Sequence, residues 1–293
     1  MAKTIINILG AGRSGTTMLD LMLGNDDRSF SMGEVHAWFR PFRKHHKAID
    51  CNCGDPDCAI WNKVKHYSEA AFFKNIFSEL DVDFIIDSSK FLPWVIDQND
   101  NLYQSEIKII NFIIYKPIIN YVYSVWKRGE SIDAALNRYK LYYKRFLESG
   151  LMAHSINFQD LVLSTDKVLN TIVGITGQPV VEQRSQFWLK EHHHLYGSGG
   201  IRNQVRKGSS LIKEKDDYPE EFMKVMEKIN KRVEGDVTLS EIVTSLKQMN
   251  CLHVEGTKEL TYTKKVIKPK WYYYLKLKNK YRSLFPEQEA PKH

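Results

Sequence analysis

The chain has 293 residues, 43% of them hydrophobic and 26% charged, an ordinary balance for a globular protein able to bury a large core. No stretch approaches the roughly 20 uninterrupted apolar residues of a membrane span, and Lys3 leads straight into a strand-like run, so a cytosolic chain without a signal peptide is expected. The net charge of +7 suits an anionic cofactor or acceptor, but it equally suits a nucleic acid or an anionic membrane surface and by itself selects none of them.

The first predicted strand is TIINIL, Thr4 to Leu9, and the first helix runs from Thr16 to Leu23. Between them lies GAGRSGTT, residues 10 to 17. Backbone N–H groups of residues 12 to 17 can converge on a phosphate there, aided by the helix N-terminus. A nucleotide-triphosphate loop would carry a lysine after the last glycine. Here that place is Thr16, and the positive charge, Arg13, sits inside the loop. Gly10, Gly12 and Gly15 also spell the dinucleotide fingerprint, which needs a second strand ending in an acidic residue about 20 positions on. Glu34 lies at that distance, yet RSFSMG before it is a poor strand. A kinase would need a magnesium carboxylate as well as the lysine, and Asp87, followed by two serines, is not a convincing one. Transfer without magnesium, with the negative charge neutralised by Arg and Lys, fits better.

The next feature is CNCGDPDCAIW. Cys51, Cys53 and Cys58, with His36, His45 and His46 upstream, could hold zinc. The spacing is not that of a standard finger, and the sequence has no second pair after it. A turn held by Gly54 and Pro56 around small buried thiols is the alternative. Cys251 stands alone.

Further strands are expected at DFIID (83 to 87), KIINFIIY (108 to 115) and HSINF (154 to 158). Helices are expected at Ala70 to Leu80, Tyr121 to Trp126, 131 to 149, Leu161 to Thr176 and Glu220 to Val233. Continuous apolar strands alternating with helices predict an α/β fold with a central parallel sheet flanked by helices, three layers in all. Ligands in such sheets gather at the carboxyl ends of strands. The residues of first functional interest are therefore Arg13, Ser88 to Lys90, and Lys116 with its C-terminal neighbours. After about residue 250 the pattern changes to KKVIKPKWYYYLKLKNKYRSLF, a basic aromatic segment expected either to pack on the body or to rest at a membrane interface.

The loop G-A-G-R-S-G-T-T-M-L resembles the 5′-phosphosulfate loop of sulfotransferases that use 3′-phosphoadenosine 5′-phosphosulfate (PAPS) as donor and release 3′-phosphoadenosine 5′-phosphate (PAP). IIYKPIINYVYSVWKRG is similar to that family's 3′-phosphate element, a basic residue followed eight positions on by serine, here Lys116 and Ser124. Lysine stands where the family usually has arginine, which loses a bidentate fork but keeps the charge. The Cys51-Cys53-Gly54-Cys58-Trp61 pattern, IIDSSK, and NFQDLV with Gln159 for the usual glutamate resemble segments of bacterial members. HHHLYGSGGIR resembles the family's histidine, glycine turn and arginine, with Gly199 where asparagine is common. The matches run in order from residue 8 to about 208.

The resemblance implies a P-loop-type sulfotransferase domain over residues 1–250 with a 251–293 extension. It implies that Gly12, Arg13, Ser14, Gly15, Thr16 and Thr17 cradle the donor's bridging phosphate, with Arg13 neutralising the leaving group. Lys116 and Ser124 would grip the 3′-phosphate, with Arg202 and Arg206 closing over it. Glu34 is the expected catalytic base, which His36 could replace or assist by orienting the acceptor, and Lys90 would steady the sulfuryl oxygens. No metal, nucleic acid or magnesium is implied. The expected acceptor is a glycan hydroxyl; a sterol or lipid alcohol is the alternative. A phosphate-loop kinase and a non-catalytic nucleotide-binding protein are the rival readings.

Overall fold

The computed structural model describes residues 2–208, 218–253 and 266–284. In chain order the elements are β1 (Thr4–Leu9), α1 (Thr16–Leu23), β2 (Ser29–Gly33), α2 (Val35–Phe39), α3 (Ala59–Val64), α4 (Glu69–Leu80), β3 (Phe84–Asp87) and α5 (Leu92–Leu102). Next come β4 (Lys108–Tyr115), α6 (Ile118–Trp126), α7 (Ile132–Glu148), β5 (His154–Asn157), α8 (Phe158–Leu163) and α9 (Thr165–Thr176). The last described helices are α10 (Gly199–Arg206), α11 (Glu220–Glu234), α12 (Val237–Gln248) and α13 (Lys270–Leu284).

The five strands form one parallel sheet in the order β2-β3-β1-β4-β5. Successive strand residues point to opposite faces, so a strand covered on both sides must be apolar at nearly every position. Ile5, Leu9, Ile85, Ile109 and Ile113 enter one core, with side chains of α2 to α7. Ile6, Ile8, Ile86, Phe112 and Ile114 enter the other, with α1, α8 and α9. The fold is the expected α/β sandwich of helices around a parallel sheet. A fully buried Ile or Phe contributes roughly 1.5–3 kcal/mol, which is why the apolar strand runs specify the sheet so strongly. Among the buried polar residues of the strands, Asn7 and Asn111 are register partners, and Asn7 Nδ2 donates to Asn111 Oδ1 at 2.8 Å.

The differences from expectation are local. SFSMG, which is poor in β-branched residues, is nonetheless strand β2, because its backbone pairs with β3 at the sheet edge; here tertiary pairing overrides propensity. The single helix expected over 161 to 176 is two, parted at Ser164. Helix α5 begins with Pro93 in its first turn, a favourable place for a residue lacking an N–H, and α12 is capped by Asp236, whose side chain accepts the Leu239 N–H at 3.1 Å. Neither helix was expected. Of the C-terminal segment, α13 lies on α5: Tyr272 is buried with its hydroxyl on Asp97, and Lys276 pairs with the same carboxylate at 2.9 Å. Residues 254–265 and 285–293 of that segment lie outside the described residues.

Candidate active site

All five strands point the same way, so their carboxyl ends share one side of the sheet. β1 has β3 on one flank and β4 on the other, so the chain departs in opposite directions around it, the arrangement that opens a ligand crevice. A dinucleotide fold places β2 directly beside β1. Here β3 intervenes, and Glu34 after β2 stands two strands, roughly 10 Å, from the glycine loop, too far to serve as its ribose ligand.

The loop after β1 is built to present bare amides. Tyr142 and Tyr143, neighbours on α7, brace it from below: Gly10 N–H donates to the Tyr142 hydroxyl at 3.0 Å, and Ser14 Oγ lies 2.9 Å from that of Tyr143. Ser14 N–H closes a turn on Ala11 O. Arg13 and Gly15 both take positive φ, 83° and 101°. At Gly15 a side chain would also collide with the Phe158 ring, so only glycine serves. Among the described residues, no acceptor takes the N–H of Gly12, Arg13, Gly15 or Thr16. With the first turn of α1 behind them, these donors form an anion-binding nest.

Charge follows the same plan. Arg13 Nη1 reaches Ser198 Oγ at 3.4 Å, while its buried Nε has no partner among the described residues. Burial, and then the nearby Arg128 guanidinium, lower the Arg13 pKa. Two cations that repel each other in this way are relieved by an anion. A cleft of about 730 Å³ joins this loop to Lys116, Arg128, Glu34 and Lys90. Lys116 Nζ lies 4.1 Å from the centre of the Phe158 ring, a cation–π contact at the cleft wall.

Glu34 and Lys90 meet at the other end. Each lies beyond the end of a strand, β2 and β3 respectively, and Lys90 Nζ donates to Glu34 Oε1. Lys90 is held at φ 59°, and its carbonyl accepts the Tyr142 hydroxyl at 2.8 Å. Ser89 hydrogen-bonds the Asp87 carboxylate and accepts the His36 N–H through Oγ at 3.1 Å. Burial raises Asp87 to about 6. His36 itself is buried between the rings of Phe42 and Phe91, and burial, helped by the Lys90 charge, pulls it down to about 3. A second cavity of about 290 Å³ adjoins Glu34 and Lys90 and is walled by Phe42, Phe91, and Leu275 of α13.

Three expected donor ligands are placed otherwise. Ser124 is buried on α6 and does not line the cleft. Arg202 is buried, donating to both carboxylate oxygens of Asp50 at 2.7 Å, and its hydrogen bonds hold the Asp50 carboxyl below its usual range. Arg206 donates to the carbonyls of Asn52 and Cys51. Their segment is helix α10, and it offers Gly200, Ile201 and Gln204 to the cleft instead. His45 and His46, expected as possible zinc ligands, line the cleft as well. The cysteines instead gather about His193.

Some residues of the site carry no mark in the sequence. Arg128 lies in the WKRG run, where nothing sets it above Lys127. Asp20, on an otherwise apolar helix, accepts Ser88 Oγ at 2.5 Å and is raised to about 8 by burial. Close by, Ser31 Oγ lies 2.7 Å from His194 Nδ1. Gly33, at φ 76°, faces the Leu195 backbone so closely that a side chain would strike it. The pairing of Leu195 N–H with Met32 O and of Glu34 N–H with Leu195 O needs that approach, and it fixes the backbone under Glu34.

No family model and no curated protein matches the chain. Solved structures do. A sulfotransferase domain from the curacin biosynthetic pathway superposes with a TM-score of 0.53 at 17% identity, covering 84% of this chain and 98% of that one. The sulfotransferase domain of the Synechococcus PCC 7002 olefin synthase gives a TM-score of 0.53 at 15% identity, over 78% and 94%. The chain therefore has the fold of these sulfotransferase domains.

Proposed function

We propose that this protein transfers a sulfuryl group from PAPS to an acceptor hydroxyl. The observation that carries the reading is the one cleft joining a nest of unpaired loop amides and Arg13 to Lys116 at one end and to the Glu34–Lys90 pair at the other. The fold shared with sulfotransferase domains supports it.

Sulfuryl transfer, like phosphoryl transfer, leaves a protein mainly positioning and charge stabilisation to perform. Glu34 takes the acceptor proton as the acceptor oxygen bonds to sulfur. The bond from sulfur to the bridging phosphate oxygen breaks, and its electron pair stays on that oxygen. The departing phosphate gains charge, which Arg13 and the amides of Gly12, Gly15 and Thr16 neutralise. Lys90 holds Glu34 in place and lies where it can meet the sulfuryl oxygens. Lys116 and Arg128 supply the cations for the 3′-phosphate. Arg202 and Arg206 support the wall rather than the nucleotide.

The acceptor enters by the cavity beside Glu34. A glycan hydroxyl fits a site whose polar end is formed by Glu34 and Lys90. The rings of Phe42 and Phe91, with Leu275, favour an acceptor that also carries an apolar portion, so a lipid alcohol is the second reading. Thermal shift with PAP, with ATP and magnesium, and with NAD tests the donor. Stabilisation by PAP alone is expected, and selective stabilisation by ATP with magnesium would overturn the reading. Transfer from radiolabelled PAPS to glycan and lipid-alcohol panels then assigns the acceptor.

A further inference from the structure

We infer that Cys51, Cys53, Cys58 and His193 form a structural zinc site that clasps the wall of the cleft. The three cysteines come from one short loop, and the fourth ligand comes from a segment more than 130 residues later. Their ligand atoms all lie within 4.8 Å of one another. His193 Nδ1 stands 3.2 Å from Cys58 Sγ and 3.8 Å from Cys51 Sγ. A tetrahedral centre with Zn–S of about 2.3 Å and Zn–N of about 2.0–2.1 Å requires N···S edges of about 3.5 Å. The two distances bracket that value before any ion has drawn the ligands in.

The donor set selects the metal. Three thiolates and one imidazole are soft ligands that suit zinc and disfavour magnesium or calcium. Four protein ligands fill a tetrahedron and leave no position open for substrate, so the site is structural and independent of the transfer chemistry. The net charge of such a centre is −1, and Arg206 donates to the carbonyls of Cys51 and Asn52 beside it.

The surroundings hold the ligands in register. Trp61 Nε1 donates to His193 O at 2.7 Å, and Asn52 N–H donates to His194 O at 2.9 Å. Gly54 N–H closes a turn on Cys51 O. Two residues beyond His193, Leu195 pairs with Met32 and Glu34. The ion would thus tie the cysteine loop to the strip that fixes the Glu34 backbone.

Protein purified under reducing conditions without chelators should carry about one zinc per chain by elemental analysis, as a closed four-ligand site does. Cobalt substitution should give intense thiolate-to-cobalt absorption. Cys53→Ala, at the half-exposed ligand, and His193→Ala should each abolish stoichiometric zinc and the cobalt band. Cys251→Ala, at a thiol outside the cluster, should retain both. Chelation should lower the melting temperature, and added zinc should restore it. The proposal is overturned if the wild-type protein is metal-free and neither melts higher nor develops a cobalt band on reconstitution, if Cys53→Ala keeps its zinc, or if the native cysteines prove to be joined as a disulfide. None of these readouts depends on the donor or the acceptor.

Discussion

Glu34 and Lys90 are ion-paired across the ends of two neighbouring strands, each side chain 17% exposed. A carboxylate tethered in this way is held at the cleft, where it can take a proton. Glu34→Gln keeps the shape and removes the proton acceptor. Turnover should fall by about 10²–10⁴-fold, the usual contribution of a general base, while PAP binding by calorimetry stays within a few-fold. Unchanged turnover would remove Glu34 from the mechanism.

Arg13 is only half-buried, and its hydrogen bond among the described residues is a long one, to Ser198, so its removal should spare the fold. Arg13→Ala is expected to lower kcat by about 10²–10³-fold, the range for losing one stabilising donor at developing charge. Melting temperature should be nearly unmoved. Lysine at this position should recover part of the rate, since charge is kept and the fork is lost. Near-normal kcat in the alanine variant would count against the assigned role.

Lys116 is assigned to nucleotide recognition. Lys116→Ala should weaken PAP binding by roughly tenfold or more and leave adenosine 5′-monophosphate, which lacks the 3′-phosphate, little affected. Arg128→Ala should behave alike. Ser124→Ala should have the smaller effect, because that serine does not line the cleft. Equal losses for both nucleotides in the Lys116 variant would assign it elsewhere.

His36 gives a pH dependence whose sign is fixed. Its folded pKa, about 3, lies below the ordinary 6.5, so the unfolded chain takes up the proton first. Stability is then lost as pH falls from 6.5 toward 3, on the order of 1.4 kcal/mol per pH unit. Asp20 and Asp87 are shifted upward and act in the opposite sense, costing stability as pH rises through their ranges. Comparing wild type with His36→Phe by urea denaturation at pH 7 and pH 5 isolates the histidine. The variant should lose less stability between the two, and parallel losses would refute the assignment.

The sheet was legible because β1, β3 and β4 are apolar at nearly every position, a pattern that burial on two faces explains. β2 was not, because SFSMG carries small residues whose strand form comes from pairing with β3. The glycine loop, Arg13, Lys90 and Lys116 announced themselves by their places after strands, Glu34 only through the family resemblance, and the structure brings them to one cleft. Arg202 and Arg206 could not be sorted from sequence, since a basic residue on a glycine-rich segment reads alike whether it faces a phosphate or, as here, Asp50 and a pair of carbonyls. His193 was hidden among three consecutive histidines, and nothing local distinguishes a ligand from its neighbours. Contact with a loop 135 residues earlier does so.

The phenolic oxygen of Tyr142 accepts from Gly10 and donates to the Lys90 carbonyl. One atom therefore acts as a ruler between the two ends of the cleft. Helix α7, far from the sheet edge in sequence, fixes the span that any pair of reactants must bridge. Repacking beneath that hydroxyl would change the reach of the site without altering a single residue that touches substrate.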